Sequence, residues 1–253
     1  MDKYYLNVDG DNIAIVIDDG IILTSELTWD FYNISISDNL FPDDLSLFYS
    51  DDYIGSSHYL SDNGYVFDRH YCLKELSLYV PENNVFDTEK INTLLSKPVR
   101  DAHIKIVEPI KFNAISPCDF RCFSENGEYL LCLKDIYFNK SSHIERIKIH
   151  NKLEIIFLDG KEIGFMILEP FENIFFDLNL IENKNIKLSL KEKMLFLKYF
   201  HLMDESTWNK LNEKDTSVYF VLHSIQDEVL DMMSDNSKLR HLNNQLSFIL
   251  DNY

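Results

Sequence analysis

Two short groups of residues contain side chains that enzymes use for nucleophilic or metal-assisted chemistry. Ser56-Ser57-His58 places hydroxyl groups beside an imidazole, but catalytic triads assemble from distant segments because neighbours in sequence seldom point at one another. Asp159-Gly160-Lys161 has the acid-x-lysine spacing of metal-dependent nucleases, in which a carboxylate holds Mg²⁺ and a lysine assists the attacking water. The same residues are typical of a tight hairpin turn. Both groups therefore favour loops over catalytic sites.

Cysteines and glycines restrict the chemistry further. The four cysteines contain no C-x-x-C pair and no two-plus-two grouping of zinc ligands, so free, mostly buried thiols are predicted, with a structural zinc site as the alternative. The seven glycines cannot form G-x-G-x-x-G, a P-loop or G-x-S-x-G. The EF-hand spacing fails at Ile13, where an oxygen ligand is required. The sequence therefore predicts no catalytic residue, no metal and no cofactor. The cysteines are Cys72, Cys118, Cys122 and Cys132.

An acidic segment rich in aromatic residues, the loop at 41–68, is the strongest candidate for a functional surface. Tyrosine provides a large contact area at a small entropic cost, and carboxylates attract and pair with Lys and Arg side chains. The alternative is that several aromatic rings face the core while the aspartates keep a loop solvated. The predicted partner-binding residues are Asp43, Asp44, Tyr49, Asp51, Asp52, Tyr53, Tyr59 and Asp62.

The charge of the chain is strongly negative and unevenly distributed. The formal net charge is −18, and residues 1–68 contain 14 acids and one base. Such a surface repels nucleic acids and anionic membranes and attracts cationic partners. We therefore expect a basic protein partner and no direct binding to nucleic acid.

Strands are predicted for the first part of the chain. Turn residues around 9–12 and 18–20 flank apolar runs at Ile13–Ile17 and Ile21–Leu23, which is typical of a meander of short strands. Tyr32, Ile34 and Ile36 alternate with polar residues, as expected of a strand with one buried face. Further strands are expected at about 103–110, 129–133 and 144–149. Asp159-Gly160 predicts a hairpin over 153–168, because it supplies the positive φ values of a tight turn.

Helices are predicted mainly for the end of the chain. A short helix is expected from Asp87 or Thr88 until Pro98 ends it. Ser189 and Glu192 have capping-box spacing ahead of an apolar stretch that reaches Met203. Apolar residues recur at helical spacing over 218–232 and 239–249. The fold class is therefore α+β, with a β-rich, antiparallel region at 1–185 followed by a helical region at 186–253, packed together as one compact unit.

Apolar runs in this sequence are too short to cross a bilayer, which takes about 20 residues. The start of the chain lacks the basic, apolar and small-residue pattern of a secretory signal. The expected location is therefore cytoplasmic.

In its acidic first 68 residues and its Asp/Tyr segment at 41–68, the chain resembles the immunity proteins of bacterial toxin systems. The resemblance implies a protein that binds one cognate toxin, often a basic nuclease, and covers its active site or a functional surface. Two other functions stay open. One is an enzyme whose Asp, Glu and His residues come from distant segments. The other is a structural or adaptor subunit that docks through helices at Val218–Met233 and Leu239–Leu250.

Overall fold

The computed structural model describes residues 4–8, 11–20, 22–36, 54–56, 63–85, 87–112, 115–134, 138–139, 142–174, 186–233 and 236–253. Fourteen β-strands and five α-helices lie in these ranges. In chain order they are β1 (Tyr4–Val8), β2 (Asp11–Asp19), β3 (Leu27–Trp29), β4 (Asn33–Ile36), β5 (Ile54–Ser56), β6 (Gly64–Phe67), β7 (Leu73–Tyr79), α1 (Thr88–Leu95), β8 (Val99–Ile106), β9 (Lys111–Phe112), β10 (Phe120–Phe123), β11 (Tyr129–Leu133), β12 (Ile144–His150), β13 (Leu153–Leu158), β14 (Lys161–Leu168), α2 (Leu190–Leu202), α3 (Glu205–Asn212), α4 (Thr216–Met232) and α5 (Ser237–Asn252). The predicted α+β class is confirmed.

The larger sheet contains eight strands in the order β1-β2-β8-β12-β13-β14-β11-β10. Its pairings are antiparallel except for β8 with β12 and β1 with β14. The backbone N–H of Tyr5 donates to the carbonyl of Gly160 at 2.8 Å, so β1 also lies beside the start of β14. Six strands thereby form a closed ring, and β11 and β10 extend from it along the other end of β14.

The smaller sheet contains six strands in the order β3-β4-β7-β6-β5-β9, with β5 and β9 parallel. Ile34 and Ile36 on β4 are buried beside Leu76 and Leu78 on β7, because alternate residues of a strand share one face. These side chains belong to the same hydrophobic cluster as apolar residues of the larger sheet and of α2, α4 and α5. Both sheets and the helices therefore share a core.

The predicted hairpin is confirmed. β13 and β14 pair in antiparallel register with Leu158 opposite Lys161. Asp159 and Gly160 between them have φ values of 49° and 78°, as a two-residue turn with two left-handed positions requires. Asp159 and Lys161 therefore serve as turn and strand residues rather than as a metal site.

The predicted helices are also confirmed, and one was missed. The side chain of Asp87 caps α1, and Ser189 with Glu192 forms a complete capping box at the start of α2. α4 and α5 bury the predicted apolar positions, among them Leu222 and Leu242. The eight-residue helix α3 was not predicted. No helix within the described ranges has both the length and the apolar character needed to cross a bilayer.

Two sequence interpretations need correction. Tyr32 does not share the buried face of Ile34 and Ile36: β4 begins only at Asn33, and Tyr32 is 40% exposed. The segment 41–68 is not irregular throughout, because β5 and β6 lie within it, and Tyr65 and Phe67 on β6 are buried. For these two rings the core-facing alternative is correct.

Candidate functional site

The predicted partner-binding residues all lie outside the described residues. They are Asp43, Asp44, Tyr49, Asp51, Asp52, Tyr53, Tyr59 and Asp62. Ser57 and His58 of the serine-histidine group lie outside them as well.

Several acidic side chains in the described part of residues 1–68 pair with other groups of the chain. Asp18 pairs with Lys105 at 2.7 Å, and the carboxylate of Asp19 lies 3.6 Å from Arg100. Asp68 accepts hydrogen bonds from the backbone N–H groups of His70 and Cys72 and thereby holds the turn before β7. Two of these carboxylates therefore pair with bases on the adjacent strand β8, and the third holds a turn.

The turn before β4 places an exposed tyrosine beside the core. Asp30 Oδ1 accepts hydrogen bonds from the N–H groups of Tyr32 and Asn33 at 3.0 and 2.6 Å. Phe31, which precedes them, has a φ of 76°, a conformation that costs a bulky residue about 1–3 kcal/mol. Its ring is buried, and its centroid lies 5.1 Å from that of the Phe200 ring. Because Phe31 points into the core, the next side chain, Tyr32, is directed to the surface.

Arg121 on β10 lies beneath this surface and is 4% exposed. Its Nε donates to Asn84 Oδ1 at 3.1 Å, and one terminal nitrogen donates to the carbonyls of Phe200, at 2.7 Å, and Met203. Its guanidinium lies over the Phe200 ring, 5.3 Å from the centroid. The last carbonyls of a helix lack partners within the helix and favour a cation. Arg121 therefore caps the end of α2 and connects it to the larger sheet.

Glu82 follows β7 and is half-buried beside this arginine. Burial raises the pKa of its carboxyl group, while the positive charge of Arg121 opposes the rise. The indole N–H of Trp208 also lowers the pKa of Glu82, although the two groups do not meet the geometry of a full hydrogen bond. Among the described residues, Glu82 forms no ion pair.

Glu82 interacts electrostatically with Tyr32, Tyr79 and Trp208, and Tyr253 packs against Trp208; we call these four aromatic side chains the aromatic rim. Burial raises the pKa of the Tyr32 hydroxyl, and the nearby charges of Glu82, Tyr79 and Tyr253 raise it further. The pKa of Tyr79 is raised by burial and then by Glu82. The rings of Trp208 and Tyr253 lie 5.5 Å apart, and Tyr253 is 40% exposed.

The charges near the aromatic rim are mainly negative. Asp204 and Glu205, at the start of α3, raise the pKa of Glu82 through repulsion between like charges. Asp30 acts on Tyr32 in the same direction. Arg121 is the one cation among the groups that shift the pKa of Glu82, and it is bound to helix carbonyls. The arrangement combines solvent-accessible aromatic rings with a carboxylate that no cation of the described ranges contacts.

A second group of reactive side chains is enclosed in the interior. Lys134 Nζ contacts Glu162 Oε2 at 2.5 Å, and Glu162 is 1% exposed. Burial raises the pKa of the Cys118 thiol, and Cys132 and Glu162 raise it further. Because these groups face one another rather than solvent, a substrate would reach them only after local opening. All four cysteines are free thiols, and the described residues contain no group of three or more His, Cys, Asp and Glu side chains able to hold a metal.

The C-terminal helices use their predicted apolar faces internally. Val218, Leu222 and Val229 of α4 are buried, as are Leu239 and Leu246 of α5. Any docking through these helices would have to use their outer faces, where Phe220 and Phe248 are 76% and 60% exposed.

Comparison of the chain with protein-family models, with curated protein sequences and with solved structures gave no match.

Proposed function

We propose that this chain is an acidic, protein-binding inhibitor that acts in the cytoplasm and masks the active site or another functional surface of a basic protein. Immunity proteins that neutralise bacterial toxins are the class it fits best. We assign attraction of the partner to the acidic residues of the segment at 41–68 and its anchoring to the aromatic rim.

The observation that carries the proposal is that many of the basic side chains already have partners within the chain. Within the described ranges, nine lysine or arginine side chains contact a carboxylate, and three more donate to main-chain carbonyls, out of 24 in the chain. The chain has 42 acids against 24 bases, which leaves a formal net charge of −18. A negative surface of this kind speeds encounter with a cationic partner.

The first experiment identifies the partner and measures inhibition. Proteins captured on the immobilised chain from the native host are purified, and the activity of each basic one is titrated with the chain. We expect complete inhibition at an equimolar ratio, with an association rate that falls as salt rises from about 0.05 to 0.3 M, because screening weakens steering. A captured partner that keeps its activity when saturated would contradict the proposal.

A charge-matched pair of variants tests where the partner docks. One variant changes Asp43, Asp44, Asp51 and Asp52 to Asn, and we expect its association to slow roughly tenfold because steering is lost. The control removes four exposed carboxylates from the helical region through Glu213→Gln, Asp227→Asn, Asp231→Asn and Asp251→Asn. Equal slowing in both variants would mean that overall charge, rather than the 41–68 segment, directs the partner.

A further inference from the structure

Glu82 is held in a position that is unfavourable for a carboxylate without a partner. Burial raises its pKa, which means that the folded chain disfavours the charged form. Arg121 relieves only part of this cost, because it directs its Nε to Asn84 and a terminal nitrogen to the carbonyls of Phe200 and Met203 at the end of α2. A cation from outside the chain would compensate Glu82 without disturbing those bonds.

The aromatic rim supplies the other half of a cation-binding arrangement. The Trp208 and Tyr253 rings lie 5.5 Å apart at an angle of 54°, so they are inclined to one another rather than stacked face to face. Tyr32 and Tyr253 are each 40% exposed. The face of an aromatic ring attracts a cation, and the attraction grows when the cation loses water. Rings beside a half-buried carboxylate therefore favour a cationic side chain over a neutral or anionic one.

A carboxylate beside aromatic rings favours an arginine side chain over a lysine side chain. A guanidinium group is planar and weakly hydrated, so it can stack on one ring while two of its N–H groups bind a carboxylate. An ammonium group is compact and strongly hydrated, and it loses more on entering a partly buried aromatic site.

We propose that Glu82 and the aromatic rim together receive an arginine side chain of the partner protein. This inference rests on the proposed function, since it assigns a chemical identity to the anchor of a basic partner. Glu82 forms the ion pair, and Trp208 and the tyrosines provide the surfaces on which the guanidinium stacks. Interface hot spots are enriched in this combination of Trp, Tyr and Arg.

Tryptophan fluorescence can test the site with a small probe. The chain has two tryptophans, and Trp29 is 1% exposed in the core, so a ligand at the surface acts on Trp208. Acetyl-Gly-Arg-Gly-amide is titrated into the full chain and compared with the same peptide containing citrulline, which keeps the shape but lacks the charge. We expect a saturable change with the arginine peptide, with a Kd on the order of 1 mM, and binding at least about tenfold weaker for citrulline, since a factor of ten corresponds to about 1.4 kcal/mol.

Two variants assign the binding to Glu82. Glu82→Gln keeps the size of the side chain and removes its charge, and it should weaken binding of the arginine peptide about tenfold or more. Asp227→Asn removes one charge from an exposed position on α4, away from the groups that act on Glu82, and should change the Kd by less than about twofold. Trp208→Phe should abolish the fluorescence change. Circular dichroism and the urea midpoint confirm that each variant is folded.

The outcomes separate this inference from the proposed function. Equal binding of arginine and citrulline peptides, equal binding by Glu82→Gln, or tighter binding of a lysine peptide would overturn the arginine site. If the site fails while the chain still inhibits its basic partner, the inhibitor proposal stands and the anchor lies elsewhere. If the arginine peptide binds as expected while saturating amounts of the chain leave the partner active, the site stands and the inhibitor proposal fails.

Discussion

Two buried arginines cap the ends of two helices, and they differ in how their charge is balanced. Arg146 on β12 donates through Nε to Glu154 at 2.8 Å and through a terminal nitrogen to the carbonyl of Leu95, the last residue of α1. Arg121 caps α2 in the same way, but its Nε donates to the neutral amide of Asn84. Each arginine connects a strand of the larger sheet to the end of a helix.

The difference concerns the position of the matching carboxylate. Glu154 is 3% exposed and lies in direct contact with its arginine, so that ion pair is complete within the fold. Glu82 acts on Arg121 through the electric field without touching it, and it remains half-buried at the surface. A buried cation and a carboxylate that are kept apart leave the carboxylate available to a ligand. A structural ion pair and a candidate binding site are thus built from the same residue types.

The largest effect is expected when the complete pair is broken. Arg146→Met leaves the buried carboxylate of Glu154 without a cation, and we expect urea unfolding to show a loss of about 3–5 kcal/mol. The double variant Arg146→Met with Glu154→Leu should regain much of this loss, because no isolated charge remains. A double variant no more stable than Arg146→Met alone would mean that lost helix capping, rather than the unpaired charge, accounts for the effect.

A smaller effect is expected at the second arginine. Arg121→Met leaves the carbonyls of Phe200 and Met203 without this donor, but it leaves no contacting carboxylate without its cation. The free energy of unfolding should therefore fall by about 1–3 kcal/mol in the same measurement. The pKa of Glu82, followed by NMR titration, should rise further because the charge that lowers it is gone. If Arg121→Met cost as much as Arg146→Met, the contrast between the two arginines would be wrong.

The elements that could be predicted are those specified by neighbouring residues. Asp159-Gly160 is sufficient to define a hairpin turn, and Ser189 with Glu192 is sufficient to start a helix, because the interacting groups are at most three residues apart. α3 was missed since it is short and has only two large apolar residues, Trp208 and Leu211. Its N-cap, Asp204, was a usable signal.

The candidate site could not be predicted, because its residues meet only in the folded chain. Arg121 is 37 residues from Asn84 and 79 from Phe200. Tyr32 was assigned to a buried strand face on its alternation with Ile34, and only the positive φ of Phe31 reveals why it is exposed. The sequence indicates an acidic, aromatic surface at 41–68, whose predicted binding residues lie outside the described ranges. The residues at 43–62 remain a prediction.

The smallest expected effect concerns the pH dependence caused by Glu82. The groups that act on its carboxyl are Arg121, Trp208, Glu205 and Asp204. Burial raises the pKa in the folded chain above the ordinary value of 4.5, so between these two pKa values the folded chain binds more protons than the unfolded one. Stability therefore falls as pH rises through that window, and the penalty persists at higher pH.

Glu82→Gln removes this titration and should match the wild type below pH 4.5, the ordinary pKa of the group. Above the window, the variant should be more stable by less than about 1 kcal/mol, because solvent screens a half-exposed charge. Asp227→Asn on α4 is the control for losing one surface charge, and unfolding free energies at several pH values provide the measurement. A saturating amount of an arginine ligand should reverse the order at neutral pH, since only the wild type gains an ion pair. If Glu82→Gln were less stable than the wild type in the absence of ligand, Glu82 would already have a stabilising partner within the chain. The contrast with Glu154 would then disappear.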